Sequence, residues 1–382
     1  LAGAGFRVGW ITAGGLDTAP GIGPDAPAPG AAARAADDWD SRIYAVSPGN
    51  IEWLTTLGAW AGVAQARVCD VTTMQVSGDD GDARIGFDTR TARKPRLAAI
   101  CESRNLATGI ERALQTCADR VTRIAGRVAE LRIGERTASV TLDTGATVRA
   151  PLVVAGDGAD SSIREFASIT VTSHAYEHTA VVANLRCAAP HYGVARQWFF
   201  GDSVLALLPM PQDRRSMVRS CADAHARFLL DLSAPALCDE VARVTGGETG
   251  AVEPVTGAQG FPLKVQQVDR LVAPRVALVG DAAHTVHPLA GQGMNLGLGD
   301  CRELARVLAG RGPQPDLGDI ALLQRYQRAR AEPIAAMRVA TDGLFRLFAS
   351  DFPGVARMRN LGLGWVDGST LLKRRLILAA MA

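Results

Sequence analysis

No run of 18 apolar residues occurs in the 382-residue chain, so the sequence offers no helix able to span a bilayer. The residues from Leu1 onward do not read as a secretory signal. Neither charge sign is in excess. The 41 Lys and Arg face 39 Asp and Glu, a formal +2 that gives no basis for binding nucleic acid. The seven cysteines, at 69, 101, 117, 187, 221, 238 and 301, include no Cys-x-x-Cys pair. That argues against a disulfide framework and a zinc site, and it fits a reducing cytoplasm. Two histidine pairs, His174 with His178 and His284 with His287, lack carboxylate or thiolate ligands at a metal-site spacing, so no metal is expected. No Ser-His-Asp or Cys-His arrangement for nucleophilic catalysis stands out. What remains is 47% apolar and 21% charged, an ordinary globular composition long enough for two lobes.

The most informative stretch runs from Arg275 to Asp300, RVALVGDAAHTVHPLAGQGMNLGLGD. Its apolar run Val276-Ala277-Leu278-Val279 reads as a strand buried on both faces. Gly280-Asp281 breaks the strand and a Pro- and Gly-rich loop follows. From Met294 onward the leucines at 296, 298 and 304 point to a helix. A Gly-Asp turn and a helix N-terminus at the carboxyl end of a parallel strand make a site for a polar, partly anionic ligand. A second strand-turn-helix unit lies about 120 residues earlier, with Leu152-Val-Val-Ala leading into Asp157-Gly158, Ser161 and Arg164. Asp-Gly alone is first of all a turn signal. Its place after a buried strand gives it weight.

Around these motifs the chain divides into recognisable segments. LAGAGFRV reads as the last turn of a helix, closed by glycine and followed by a strand from Val8 to Ile11. Gly3 and Gly5 therefore close a helix, whereas a dinucleotide fingerprint opens one. Residues 13–38, almost all Ala, Gly, Pro and Asp, read as a surface loop. Ser47 opens a helix over 48–58, with Ile51, Leu54 and Leu57 at core spacing and Trp53 and Trp60 as further core residues. Short strands are expected between 69 and 100, then a helix from Glu102 to Ala118. VAELRIG and TASVTLD alternate with period two and form a meander between 123 and 148. TAVVANLRC, ARQWFF, VLALLPMP and SMVRSC, within 175–222, read as a large antiparallel sheet. Amphipathic helices are expected over 300–312 and 320–350, the second kinked at Pro333. From Ile320 to the end, ten Lys or Arg oppose four Asp or Glu. The basic tail LLKRRLILAAMA suits either an anionic membrane surface or a plain solvated helix.

The paired motifs resemble those of the flavoprotein aromatic hydroxylases, the class A flavin monooxygenases. HPLAGQGMNLGLGD looks most like the branch that hydroxylates ubiquinone precursors. The resemblance covers nearly the whole chain and implies an α/β fold with a doubly wound, Rossmann-like FAD-binding domain, discontinuous over 1–70, 97–168 and 263–310. An interleaved mixed-sheet substrate domain of the p-hydroxybenzoate hydroxylase kind would occupy 71–96 and 169–262, with a C-terminal helical segment over 311–382. The resemblance implies FAD, reduced by NAD(P)H or another donor, and transfer of oxygen from a peroxyflavin to the ring of a polyprenylated phenol or quinol. Asp281 beside Gly280 would hold the ribityl chain, and Arg42 would bind the phosphates through its guanidinium fork. Arg104 would face the flavin, Asp157 and Gly158 would serve FAD and the nicotinamide, and Gly293, Met294 and Asn295 would complete the cofactor contacts. Pro288, Gly291, Gln292 and Gly293 would shape the oxygen-reactive face through backbone N–H groups.

The departures from the family pattern are specific. Thr12 stands where an acidic, ribose-binding residue is usual. Arg219 replaces a common Trp, and Tyr176-Glu177-His178 replaces Tyr-Gly-Gln. Nothing matches the first strand and its G-x-G-x-x-G turn, so the chain reads as truncated, and FAD binding is expected to need roughly 20 further residues upstream. Two readings compete: another FAD-dependent oxidase or reductase of the same fold, and a non-catalytic, FAD-poor member of a ubiquinone-biosynthesis assembly. A halogenase would carry Trp-x-Trp-x-Ile-Pro, which is absent. The expected location is cytoplasmic, either free or peripheral to the inner membrane.

Overall fold

The two motif strands lie side by side as one short parallel pair, and a second such pair stands apart from it. The computed structural model describes residues 1–12, 38–78, 84–201, 203–286, 291–312 and 316–348. The expectations for the 13–37 loop and the 349–382 tail lie outside the described residues. A turn over Ala2–Ala4 is closed by left-handed Gly5, whose N–H donates to Ala2 O, and the chain enters the strand Val8–Thr12. That strand pairs in parallel with Val121–Ala125, and Val153–Ala155 pairs in parallel with Val276–Leu278. Val276, Ala277 and Leu278 are completely buried, as an unbroken apolar run requires of a strand covered on both faces. Ile11 and Ile124 pack against the same core as Leu142, Ile163, Leu304, Leu308, Leu322 and Tyr326. The expected meander is present as Val128–Ile133, Ala138–Leu142 and Thr147–Ala150. The helices Gly293–Ala309 and Ile320–Phe348, the latter running through Pro333, contribute their leucines to that core.

The second lobe is a nine-stranded sheet among the described residues. In order it contains His284–Thr285, Gln259–Val268, Val171–Cys187, Arg214–Ala222, Ser203–Met210, Val194–Phe200, Thr73–Ser77 and Arg84–Asp88, with Val252–Pro254 alongside Val171–Cys187. The four strands expected within 175–222 are all there, the first beginning earlier, at Val171. Helices Asp223–Asp231 and Ala234–Val244 cover one face, packing Leu229, Leu237 and Val241 on Val181, Leu205 and Met217. The opposite face sets Leu208 and Met210 against Trp39, Val71 and Ile100. It therefore meets the small sheet of Ile43–Val46, Ala98–Glu102 and Val68–Val71. Arg219 falls on the helix-covered face and pairs with Glu240 at 3.1 Å, away from that meeting of lobes. The Tyr176-Glu177-His178 departure is a bulge between Ala175 and Thr179, with Glu177 at φ 55°.

Three expectations need correction. Leu57 is 44% exposed rather than core, because the helix is Pro48–Thr56 and Gly58, at φ 73°, turns the chain away. The helix read from Met294 onward and the one expected over 300–312 are a single helix, Gly293–Ala309, which ends earlier than expected. Its glycines serve close packing: a Cβ on Gly297 would stand 3.0 Å from Gly280 Cα. The helix expected from Glu102 to Ala118 is shorter, Ser103–Gln115.

Gly109, inside Ser103–Gln115, is a similar case. A Cβ there would sit 2.5 Å from Ala59 O and 2.6 Å from Val63 Cγ2. Helix propensity alone would make Gly109→Ala stabilising by about 1 kcal/mol. Overpacking against a backbone oxygen costs about 1–3 kcal/mol and outweighs it. Gly109→Ala is expected to lower the denaturation midpoint, and an increase would show that the 59–63 turn yields freely.

Candidate active site

The two motif strands end side by side, Ala155 opposite Leu278, so Asp157-Gly158 and Gly280-Asp281 leave the same edge together. Gly158 at φ 88° and Gly280 at φ 59° adopt a left-handed backbone that glycine takes without strain. Buried Arg164 bolts the turns together. Its Nη1 donates to Ala282 O at 3.0 Å and its Nη2 to Ala159 O at 2.8 Å, while Ser161 Oγ accepts the Arg164 N–H at 3.0 Å. The Ser and Arg of the Asp-Gly motif are thus structural. Asp157 is exposed and its Oδ2 accepts the Ile163 N–H at 3.3 Å. Asp281 is exposed, with no partner for its carboxylate among the described residues.

Facing this edge is the start of Gly293–Ala309. The first closed bond of that helix runs from Leu296 N–H to Gln292 O, 3.0 Å, so Gly293, Met294 and Asn295 present N–H groups with no intrahelical acceptor. The helix dipole adds partial positive charge at the same place. Asn295 is buried and its amide is fully engaged. Oδ1 accepts Ser47 N–H at 2.9 Å and Asn50 Nδ2 at 3.1 Å, and Nδ2 donates to Ala45 O at 2.8 Å and Gln292 Oε1 at 3.1 Å. Its side chain locks this helix to Pro48–Thr56, which leaves its backbone N–H for a ligand. Met294 packs partly buried beside Trp60 and Leu106. Gly291, at φ 62°, is exposed, and Pro288 lies outside the described residues.

Arg42 and Arg104 are brought together by Asp40. Asp40 Oδ1 accepts the Arg42 N–H and its Oδ2 the Arg104 N–H, each at 3.0 Å, which caps the helix Ser103–Gln115. The Arg42 guanidinium is exposed and unpaired among the described residues. Arg104 instead meets Asp38 Oδ1 at 3.2 Å and Asp40 Oδ2 at 3.7 Å, so much of its charge is answered locally. Trp39 lies between the guanidinium groups of Arg67, 4.0 Å from its ring, and Arg214, 5.2 Å away. Arg67 forks onto buried Glu102 at 2.6 and 2.8 Å.

Sequence reasoning passed over Asp40, Trp39, Asp300 and Arg330. Asp300 had a legible signal, as a carboxylate on the apolar stripe of its own helix. The cysteines offer no nucleophile in this region: burial pushes the Cys101 thiol up to about 12 and the Cys301 thiol up to about 11, leaving both protonated at neutral pH.

These residues fit an FAD. A lone exposed carboxylate suits sugar-like hydroxyls, free helix N–H groups suit a carbonyl edge or phosphate, and an unpaired guanidinium suits a diphosphate. Known proteins agree with that chemistry. Residues 37–340 match the FAD binding domain family. The chain is 34% identical over 346 residues to a ubiquinone hydroxylase, UbiL, of Rhodospirillum rubrum, an alignment covering 90% of this chain and 80% of that protein. It is 31% identical to the 3-demethoxyubiquinol 3-hydroxylase of Escherichia coli, over 90% of this chain and 87% of that one. Among solved structures, Pseudomonas aeruginosa PqsL in complex with 2-aminobenzoylacetate has the same fold, with a TM-score of 0.73 at 22% identity over 95% of this chain and 94% of that chain.

Proposed function

Since the chain belongs to the FAD binding domain family, we propose that it is an FAD-dependent monooxygenase that hydroxylates the ring of a polyprenylated phenol or quinol in ubiquinone biosynthesis. The observation that carries this reading is the exposed Gly280–Asp281 turn facing the open start of Gly293–Ala309, in a chain 34% identical to a ubiquinone hydroxylase. FAD, once reduced by NAD(P)H, supplies the activation of O₂. The chain's own residues bind, orient and exclude water. Asp281 would accept from ribityl hydroxyls, and Asp157 and Gly158 would line the neighbouring turn. Arg42 would hold the diphosphate, with Arg104 in a lesser share because Asp38 and Asp40 already answer its charge. The N–H groups of Gly293, Met294 and Asn295 would donate to the flavin edge. Gly291 and Gln292 would border the ring to be hydroxylated, a role the sequence also gives to Pro288, which lies outside the described residues.

We place the substrate between the lobes, against the sheet face that carries Leu208 and Met210. The division into a discontinuous FAD-binding domain, an interleaved substrate domain and a helical end follows the same reading. No described helix is long and apolar enough to cross a membrane, so a polyprenyl tail would reach the site by peripheral contact or from a biosynthetic assembly.

The experiment is turnover of a prenylated phenol with NAD(P)H under oxygen-18 gas. One labelled atom in the ring product is expected. NAD(P)H oxidation that yields hydrogen peroxide and unlabelled phenol would make the protein an oxidase. The non-catalytic reading is favoured by one feature, Thr12, which ends its strand without a charge for an adenosine ribose. Protein that purifies colourless and takes up no flavin would decide for it.

A further inference from the structure

Behind the Gly280–Asp281 turn lies a carboxylate that the proposed chemistry leaves unused. Asp300 is 0% exposed, in the helix Gly293–Ala309. Its Oδ2 accepts the Gly280 N–H at 3.0 Å and stands 2.7 Å from His284 Nε2. Its Oδ1 accepts from Arg330 Nε at 2.7 Å. Gly297 and Asp300 are three apart and so share the helix face that meets the turn, Gly297 allowing the approach and Asp300 making the bond.

The support continues into the following helix. Arg330 Nη2 also donates to Leu296 O at 3.0 Å, and the guanidinium lies where a Cβ on Gly299 would come within 3.0 Å of it. One turn earlier, the Tyr326 hydroxyl donates to Leu278 O at 2.7 Å, at the end of the motif strand. The helix Ile320–Phe348 therefore grips strand and turn from behind at two points.

Burying a carboxylate costs several kcal/mol unless a counter-charge and donors satisfy it. Here Arg330 supplies the counter-charge, and the donors come from the turn itself and from His284 just after it. Because a carboxylate only accepts, His284 Nε2 carries the hydrogen in this bond. Nothing in packing alone calls for a charge at this position. A carboxylate does fix the peptide between Val279 and Gly280, and with it the direction in which Asp281 leaves the turn.

We propose that Asp300 is the positioning residue for Asp281, and that Arg330 acts on flavin binding through it. The proposal rests on the reading that Asp281 holds FAD. In Asp300→Asn one oxygen becomes an NH₂ facing donors, so either Arg330 or the Gly280 and His284 pair loses its acceptor. The full-length protein is stripped of flavin and titrated with FAD. Asp300→Asn is expected to weaken binding by roughly tenfold or more, the usual effect of a buried donor left unsatisfied, and to shift the visible absorption band of the bound flavin. Arg330→Met should do the same, while Arg330→Lys, which keeps charge without the fork, should fall between it and the wild type. Leu237→Ala, beneath the far face of the large sheet, shows what loss of stability alone does. It should lower the melting temperature and leave affinity and spectrum unchanged.

If Asp300→Asn and Arg330→Met behave like Leu237→Ala, Asp300 is merely structural and the proposal is overturned. Should Asp300→Asn fail to fold, the two Arg330 variants decide by the same readouts. A wild-type protein that takes up no FAD overturns the flavin reading, and this proposal with it. A flavin-loaded wild type with unaffected variants overturns this proposal alone.

Discussion

Arg275→Ala is expected to cost on the order of 3 kcal/mol of stability, the largest loss from any single side chain described here. The Arg275 side chain is 5% exposed and sits just before the motif strand. Its Nε donates to Gly134 O and Glu135 O, each at 3.0 Å, and its Nη1 to Pro151 O at 3.0 Å. Nη2 donates to Glu135 O as well. The same fork takes Asp316, at 2.8 and 2.7 Å. One guanidinium thus joins the meander turn, the lead into Val153–Ala155 and the approach to the last helix. Its removal takes the shared donor from these carbonyls and the counter-charge from Asp316, and what is lost is the joint between three segments, about 1–3 kcal/mol in all.

Arg275 also has φ 61°, a left-handed backbone that only these contacts justify. Arg275→Gly, which relieves the strain, should therefore lose less than Arg275→Ala. Urea midpoints of the three proteins test the order, and equal midpoints for Ala and wild type would dismiss the fork. The pH response follows from its sign. The Arg275 hydrogen bond holds the Asp316 carboxyl below the usual carboxylate range. That contribution is complete at neutral pH and fades as the pH falls through the lowered pKa. The gap between wild type and Arg275→Ala should accordingly narrow in acid.

Asp281→Ala should reduce FAD affinity about 10–100-fold, the equivalent of losing one hydrogen-bonded charge of 1–3 kcal/mol. It should leave the melting temperature of the flavin-free protein nearly unchanged, because the exposed carboxylate has no protein partner among the described residues to lose. That split separates a ligand-holding residue from a structural one. Asp281→Asn should retain part of the affinity, since an amide still accepts one hydrogen bond. Unchanged FAD titrations for Asp281→Ala would remove the residue from the site.

The parts of this fold that could be read from residue order are those where the chain satisfies itself locally. Val276 to Val279 is apolar at every position, so burial on both faces follows without knowing the neighbours. The meander strands announce themselves by alternation, and Gly5 by its place after a helical turn. Leu57 misled because helical spacing does not say where the helix stops, and with Gly58 turning the chain it stops two residues early. The start of the Gly293 helix was legible from the leucines at 296, 298 and 304, but not the reason its glycines are tolerated. Its glycines look like breakers until Gly280 is found against Gly297. In the site, the place of the Gly-Asp and Asp-Gly turns at the ends of buried parallel strands was legible. The bolt at Arg164 and the lock at Asn295 were not, because their partners, Ala282 and Ser47, lie 118 and 248 residues away. Asp300 with Arg330 is a pairing between two helices that no periodicity encodes.

The short strand His284–Thr285 begins only two residues after the 280–282 turn, and it hydrogen-bonds to Gln266 and Gln267 as the edge of the nine-stranded sheet. The residues that follow the cofactor turn are therefore also sheet. A ligand that shifted Gln259–Val268 would pull on Gly280 through the three residues that separate it from His284. Thermodynamic reciprocity then fixes the converse: whatever factor the ring substrate imposes on flavin affinity, the flavin imposes on substrate affinity. Saturation by one ligand shifts the binding midpoint of the other by that factor, and the magnitude can be read from either side of the cycle.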